Sequence, residues 1–225
     1  MPILSSYGCL KPLSNQQAQP YFAIFQNSEY CIFNTTDLSP GANDFSVEFF
    51  LNQSVSPPSA SQDCIFDAGY SAVSGGLQIY INSTRNIIAR FGDISGVVTL
   101  TSSSTVNTGT WYYIAISRVS GTTRMFINST QVASDATVTW SLSFPGNKFG
   151  AGINALTNNY LWGQMASFRL NVGSGFTSAT VPTGLLPVTA QTKLLTFQKS
   201  TVLNEVNGTT ATTNTGVYMS SGGPF

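Results

Sequence analysis

Residues 108–132, TGTWYYIAISRVSGTTRMFINSTQV, constrain the fold more than any other stretch. Apolar and polar side chains alternate on both sides of a small turn at SGTT. Trp111, Tyr113, Ala115 and Ser117 share one face of an extended segment, and Tyr112, Ile114, Ile116 and Arg118 share the other. Past the turn, Met125 and Ile127 oppose Arg124, Phe126 and Asn128. A period of two is the period of a strand, so the stretch is read as a β-hairpin with Gly121 in its turn. Both faces of the first arm are rich in apolar groups, which places that strand in the middle of a sheet.

The same signal recurs along the chain. YFAIF (21–25), EYCIFN (29–34) and DFSVEFFLN (44–52) are strand-like, with Phe45, Val47 and Phe49 on one face of the third and Ser46, Glu48 and Phe50 on the other. DCIFDAG, GGLQIYIN, NIIARFG and GVVTLT precede the hairpin, and ATVTWSL, NKFGAG and YLWGQMASFRLN follow it. About a dozen short strands with no helical period predict an all-β, antiparallel sandwich. Composition agrees: Ser, Thr and Asn are 72 of 225 residues, beside 20 Gly, the profile of short strands joined by polar turns.

Three parts are expected: an N-terminal arm (1–20) interrupted by Pro2, Pro12 and Pro20, a β domain (21–176), and a Thr- and Gly-rich extension (177–225) that packs on the sandwich or on a neighbour. The first 20 residues lack the basic and apolar regions of a secretory signal, and no stretch approaches 18 apolar residues, so membrane insertion is not expected. Nine basic residues balance nine acidic ones without a basic run, which argues against nucleic acid as a partner. Cys31 and Cys64 sit in apolar runs and read as buried thiols. Five N-x-S/T triplets, at Asn34, Asn52, Asn82, Asn128 and Asn207, are expected by chance from so Asn-, Ser- and Thr-rich a chain, and the one at Asn128 reads as turn chemistry and not as a glycan site.

NDFSVEFFLN, the hairpin GTWYYIAISRVSGTTRMFINSTQVAS and LWGQMASFRL resemble, in that order, the GDFTIEFWV, GTWYHVAVTRSGNTLRLFVNG and FNGYIDDFRI segments of the laminin-G-like branch of the concanavalin A-like lectin/glucanase domains. The resemblance covers roughly residues 28–172 and implies a jelly roll of two curved antiparallel sheets. Farther on, PTGLLPVTAQTKLLTFQKSTVLNEVNGTTATTNTG is similar to the TPPTAPLTAVTNTSLLL continuation of such domains in bacteriophage virion proteins, including those of cyanophages. That similarity implies a non-enzymatic virion structural protein, displayed on a capsid or as part of a head or tail fibre. The implied partners are other virion proteins and further copies of the chain, a trimer suiting virion symmetry. The alternative is a lectin-like module that recognises host surface glycans.

Glycoside hydrolysis usually requires two carboxyl groups at about 5 to 5.5 Å or about 6.5 to 9.5 Å, and the hydrolases of the superfamily would imply an E-x-D-x-x-E or E-x-D-x-E strand, which is absent. Glu48 stands alone on its strand and matches a framework position. The chain has no histidine, which removes the commonest general base and every Ser-His or Cys-His pair. No catalytic residue is assigned. The resemblance raises calcium as the one cofactor, and Asp63, Asp67 and Asp93 could supply a loop site, although Ala166 and Ser167 replace the acidic pair often found before Phe-Arg in the family. Asp63 and Asp67, four apart, should lie on the same side of a strand about 13 Å from each other. For sugar, Tyr70 and Tyr160 are the loop aromatics that could stack on a ring, or else serve as rim or subunit contacts. Trp111 and Trp162 occupy framework positions and are expected in the core; the pattern leaves Trp140 open.

Overall fold

The computed structural model describes residues 20–26, 28–33, 38–55, 62–69, 75–93, 96–144, 147–151 and 159–225. Two antiparallel sheets make up the architecture, and no helix occurs among these residues. The first sheet runs in the order β10 (Thr130–Asp135), β9 (Thr122–Ile127), β8 (Trp111–Val119), β3 (Phe45–Gln53), β12 (Gly163–Val172), β1 (Tyr21–Phe25) and β17 (Tyr218–Ser221), with β13 (Thr192–Thr196) also paired to β12. The second runs β16 (Thr213–Asn214), β2 (Cys31–Ile32), β11 (Lys148–Phe149), β4 (Gln62–Asp67), β5 (Leu77–Asn82), β6 (Asn86–Asp93) and β7 (Gly96–Thr105). A small ladder joins β14 (Leu203–Asn204) to β15 (Thr209–Thr210). Edge strand β10 lies against edge strand β7, so the sandwich is closed along that side.

Alternation decides what faces inward. Phe45, Val47, Phe49 and Leu51 of β3, Ile114 and Ile116 of β8, and Leu77, Ile79 and Ile81 of β5 are buried in one continuous core. Phe66, Phe149, Phe168 and Phe197 interlock at its centre, with ring centroids 4.7 to 5.2 Å apart along the chain Phe66–Phe168–Phe149–Phe197. Cys31 and Cys64 are buried, and burial pushes both thiols well above their ordinary value, so neither is reactive.

The hairpin read first in the sequence is β8 and β9, with Val119 opposite Thr122. Ser120 and Gly121 between them both have positive φ, 50° and 79°, which is the condition for the tight turn whose twist matches its strands. The next turn contains the sequon-like triplet. Asn128 has φ 55°, its Oδ1 accepts from the Tyr113 N–H at 3.1 Å, and its own N–H donates to the Tyr113 carbonyl at 2.7 Å. Asn82 does similar work in the β5–β6 turn, accepting from the N–H groups of Thr84 and Asn86.

Residues 173–225 are built into the sandwich. Phe176 packs on Phe126, and its N–H donates to Ser117 Oγ at 2.7 Å. Leu186 N–H donates to Ser167 Oγ at 2.9 Å, and Arg169 holds the Pro187 carbonyl at 2.9 Å. This strap covers a second apolar cluster of Phe22, Phe50, Tyr113, Ala115, Phe126 and Ala166 on the outer face of the eight-stranded sheet. The chain then adds β13 beside β12, β16 beside β2 and β17 beside β1, so it joins both sheets. Residues 1–19 of the arm lie outside the described residues.

Candidate functional site

Glu48 points outward from β3, yet it is 4 % exposed. Arg169 donates to its Oε1 from Nη2 at 2.8 Å and Nε at 3.2 Å, and the Tyr113 hydroxyl donates to Oε2 at 2.5 Å. Burial, then the neighbouring Glu48 charge, raises the Tyr113 phenol well above its ordinary value, so it remains the donor. This carboxylate is a structural pin between β3, β8 and β12. Other described carboxylates cap turns or loops: Asp44 accepts from Ser120 N–H, Asp135 from Thr137 N–H and Glu29 from Gln26 N–H.

Asp63 and Asp67 do not share a side of β4, contrary to the simple count of residues. A bulge between Cys64 and Phe66 inserts one extra residue, so Asp63 pairs with Ile81 and Asp67 with Gln78. Ile81 faces the core and Gln78 the outer surface, so the two carboxylates stand on opposite faces of the sheet. Asp63, 3 % exposed, accepts from Gln53 Nε2 at 3.1 Å and from the Trp162 backbone N–H. Burial pushes its pKa up to about 6 in spite of those two bonds. Asp67, fully buried, accepts from Gly69 N–H at 2.9 Å and from Gln78 Nε2 at 3.0 Å. Asp93 lies at the β6–β7 turn, opposite Gly96, and its side chain is outside the described residues. The calcium expectation therefore finds no shared site for Asp63 and Asp67, and no group of three potential metal ligands occurs among the described residues.

The aromatics are rearranged as well. Tyr70 lies outside the described residues. Tyr160 is half-buried, bridging Cys64 on one side and Ala151 on the other. Trp162 is not core: Leu161 is fully buried and Trp162 turns the other way, 41 % exposed, with its carbonyl accepting from Ser54 N–H at 2.8 Å. Trp111 also lies outside the main core, half-buried on the outer face and edge-on to Phe22 at 5.7 Å. Trp140, by contrast, packs against the core.

Strand register brings Trp111 into one rung with Asn52, Gln164, Ile24 and Tyr218. Asn52 Nδ2 donates to Gln164 Oε1 at 3.2 Å, which fixes the two amides side by side in the middle of the rung. Close approach of β3 and β12 here needs Gly163, since a Cβ on it would stand 2.7 Å from the Asn52 carbonyl. Tyr218 is 48 % exposed at the far end, Trp162 stands at the rim beside Ser54, and Phe225, 41 % exposed, sits edge-on over Phe50 at 4.8 Å. The result is a face of open rings and paired amides. Aromatic faces stack on the apolar side of a sugar ring, and planar amides bond its hydroxyls.

A family model of the concanavalin A-like lectin/glucanases superfamily, in its laminin-G form, matches residues 25–172. The chain belongs to that superfamily. No curated protein matches its sequence. Among solved structures, a candidate carbohydrate-binding protein from Bacteroides ovatus superposes with a TM-score of 0.64 at 14 % identity over 91 % of this chain and 60 % of its own length. Domains LG4-5 of the mouse laminin α1 chain superpose at 0.54 with 10 % identity, over 74 % of this chain and 48 % of theirs. The heptameric SAP-like pentraxin of Limulus polyphemus gives 0.52 at 15 % identity, over 71 % and 79 %. At these identities the likeness is one of fold.

Proposed function

We propose that the chain is a non-catalytic carbohydrate-binding module. The observation that carries this reading is the outer face of the eight-stranded sheet, where Trp162 and Tyr218 remain open to solvent beside the bonded Asn52–Gln164 amides. Membership of a lectin-containing superfamily and the Bacteroides ovatus neighbour support it. Catalysis is disfavoured because Glu48 is consumed by Arg169 and Tyr113, and because Asp63 and Asp67 face opposite ways. Affinity electrophoresis through gels cast with individual polysaccharides is the test. The native chain should be retarded by at least one of them, and Trp162→Ala should run freely while releasing no less and no more reducing sugar than the native chain, namely none. Free migration of the native chain in every gel would refute the reading.

A second reading places this module on a bacteriophage particle, where glycan binding would serve host recognition and further copies of the chain would be its neighbours. It is supported by the similarity of the sequence from Pro182 onward to the continuation found in phage virion proteins. In this reading the N-terminal arm, residues 1–20, docks on the particle by ordering against a partner. Deleting them should abolish incorporation into particles; unchanged incorporation would exclude that role for the arm.

A further inference from the structure

We infer that the outer face binds a neutral glycan chain lying across the strands from Trp111 to Tyr218, and that the C-terminal segment, beyond the residues matched by the superfamily model, supplies one end of this site. The inference rests on the carbohydrate-binding reading and specifies the ligand class and the residues that complete the site.

Length comes first. Trp111, Asn52, Gln164, Ile24 and Tyr218 are successive partners on β8, β3, β12, β1 and β17. Four inter-strand steps of about 4.8 Å separate the ends by about 19 Å. The Trp111 ring leans back across that rung to meet Phe22 of β1 edge-on at 5.7 Å, so the rings and the Asn52–Gln164 amides form one continuous strip, and a strip of that length suits several linked sugars better than a single terminal one.

Charge comes second. None of the five carries a charge, and the neighbouring partners Tyr113, Phe50 and Ala166, with Phe22 and Ser220, carry none either. The first charges inward are Glu48 and Arg169, which neutralise each other at 2.8 Å. Sulfated or uronic polymers would find no cation on this rung, whereas neutral hydroxyls find amides.

The superfamily model ends at residue 172, and Tyr218 and Phe225 lie beyond it. Tyr218 reaches the rung only because β17 pairs antiparallel with β1, Ile24 opposite Tyr218. Phe225 is seated on Phe50, one partner step from the rung. Without these two side chains the platform would end at Ile24.

Calorimetric titration of the full chain with gluco-, xylo- and manno-hexaose, their disaccharides and a sulfated heparin hexasaccharide tests the inference. At least one neutral hexaose should bind about tenfold or more tightly than its disaccharide, with affinity unchanged between low and high salt. Tyr218→Ala combined with Phe225→Ala should weaken that hexaose about tenfold or more. Should the double variant unfold, Tyr218→Gln alone gives the same readout at a site half open to solvent. Equal affinity for hexaose and disaccharide, preference for the sulfated sugar, or unchanged binding by folded tail variants would overturn the inference while leaving carbohydrate binding intact. Failure of the native chain to bind any glycan would remove the functional reading itself.

Discussion

Replacing Asp63 with asparagine should stabilise the protein above pH 6, and the size of the effect follows from where the carboxylate sits. Asp63 is 3 % exposed between the sheets, held by Gln53 Nε2 and the Trp162 N–H, with no cation among those partners. Its folded pKa of about 6 exceeds the ordinary 3.8 because burial penalises the anion more than the two hydrogen bonds favour it. Linkage fixes the sign. Between pH 4 and 6 the folded state binds more protons than the unfolded state, so stability falls as pH rises through that window and stays low above it. A shift of about two units is worth at most about 3 kcal/mol.

An amide of the same shape removes the charge and retains the pairing: its oxygen can accept from Trp162 N–H, and its nitrogen can donate to Gln53 once the Gln53 amide turns over. Gln53 Oε1 is buried with no donor in the native arrangement, so an acceptor is available. Loss of the charge-assisted character of both bonds offsets part of the gain. The expected net is about 1 to 2 kcal/mol at pH 7.5, or roughly 2 to 8 °C in Tm for a chain of this size. Thermal melts of both proteins from pH 4 to 8 provide the assay. The gap should open as pH rises and close near pH 4. A gap that is constant with pH, or Asp63→Asn melting below the native protein at pH 7.5, would show that Asp63 is not a strained buried anion.

Two further substitutions test the framework beneath the candidate site. Glu48→Gln keeps an acceptor for Tyr113 but leaves the Arg169 guanidinium without its counter-ion, at 12 % side-chain exposure, and should cost about 3 kcal/mol by urea unfolding; a cost under 0.5 kcal/mol would mean the pin is dispensable. Asn128→Ala should cost about 1 to 2 kcal/mol, because it strands the Tyr113 N–H and places a Cβ-bearing residue with no local hydrogen bond at φ 55°. Asn128→Gly should cost less, since the backbone strain disappears; equal losses would assign the whole effect to the hydrogen bond.

The fold was legible because its signals are local. Alternation in 45–50 and 111–118 is a property of neighbouring residues, and the structure keeps both patterns, with β3 and β8 adjacent inside the sheet. Gly121 and Asn128 announced their turns by residue type alone. The site was not legible, for three physical reasons. A one-residue bulge at Cys64–Phe66 reverses the facing of everything after it, and no composition signal marks it, so Asp63 and Asp67 could not be sorted by counting. Trp162 lies where the chain crosses from the bridges at Tyr160 to the ladder at Gly163, and a framework position in a strand motif does not reveal which side of the crossing is covered. Tyr218 meets Ile24 across nearly the whole chain, a pairing that sequence proximity cannot suggest.

That last pairing bears on what the extension is for. An apolar cluster on the outer face of a sandwich sheet would ordinarily be an aggregation hazard, and here the strap from Phe176 to Pro187 covers one part of it. Farther on, the chain returns to the same sheet as β17. That return leaves Tyr218 and Phe225 about half open, while Phe50 beneath Phe225 is 4 % exposed. Burial of the inner rings stabilises the fold whether or not the outer rings are aromatic. The outer rings add little to that stability, so Tyr218→Ala should shift Tm by no more than about 2 °C. A much larger loss would make Tyr218 part of the packing and weaken its assignment to a binding surface.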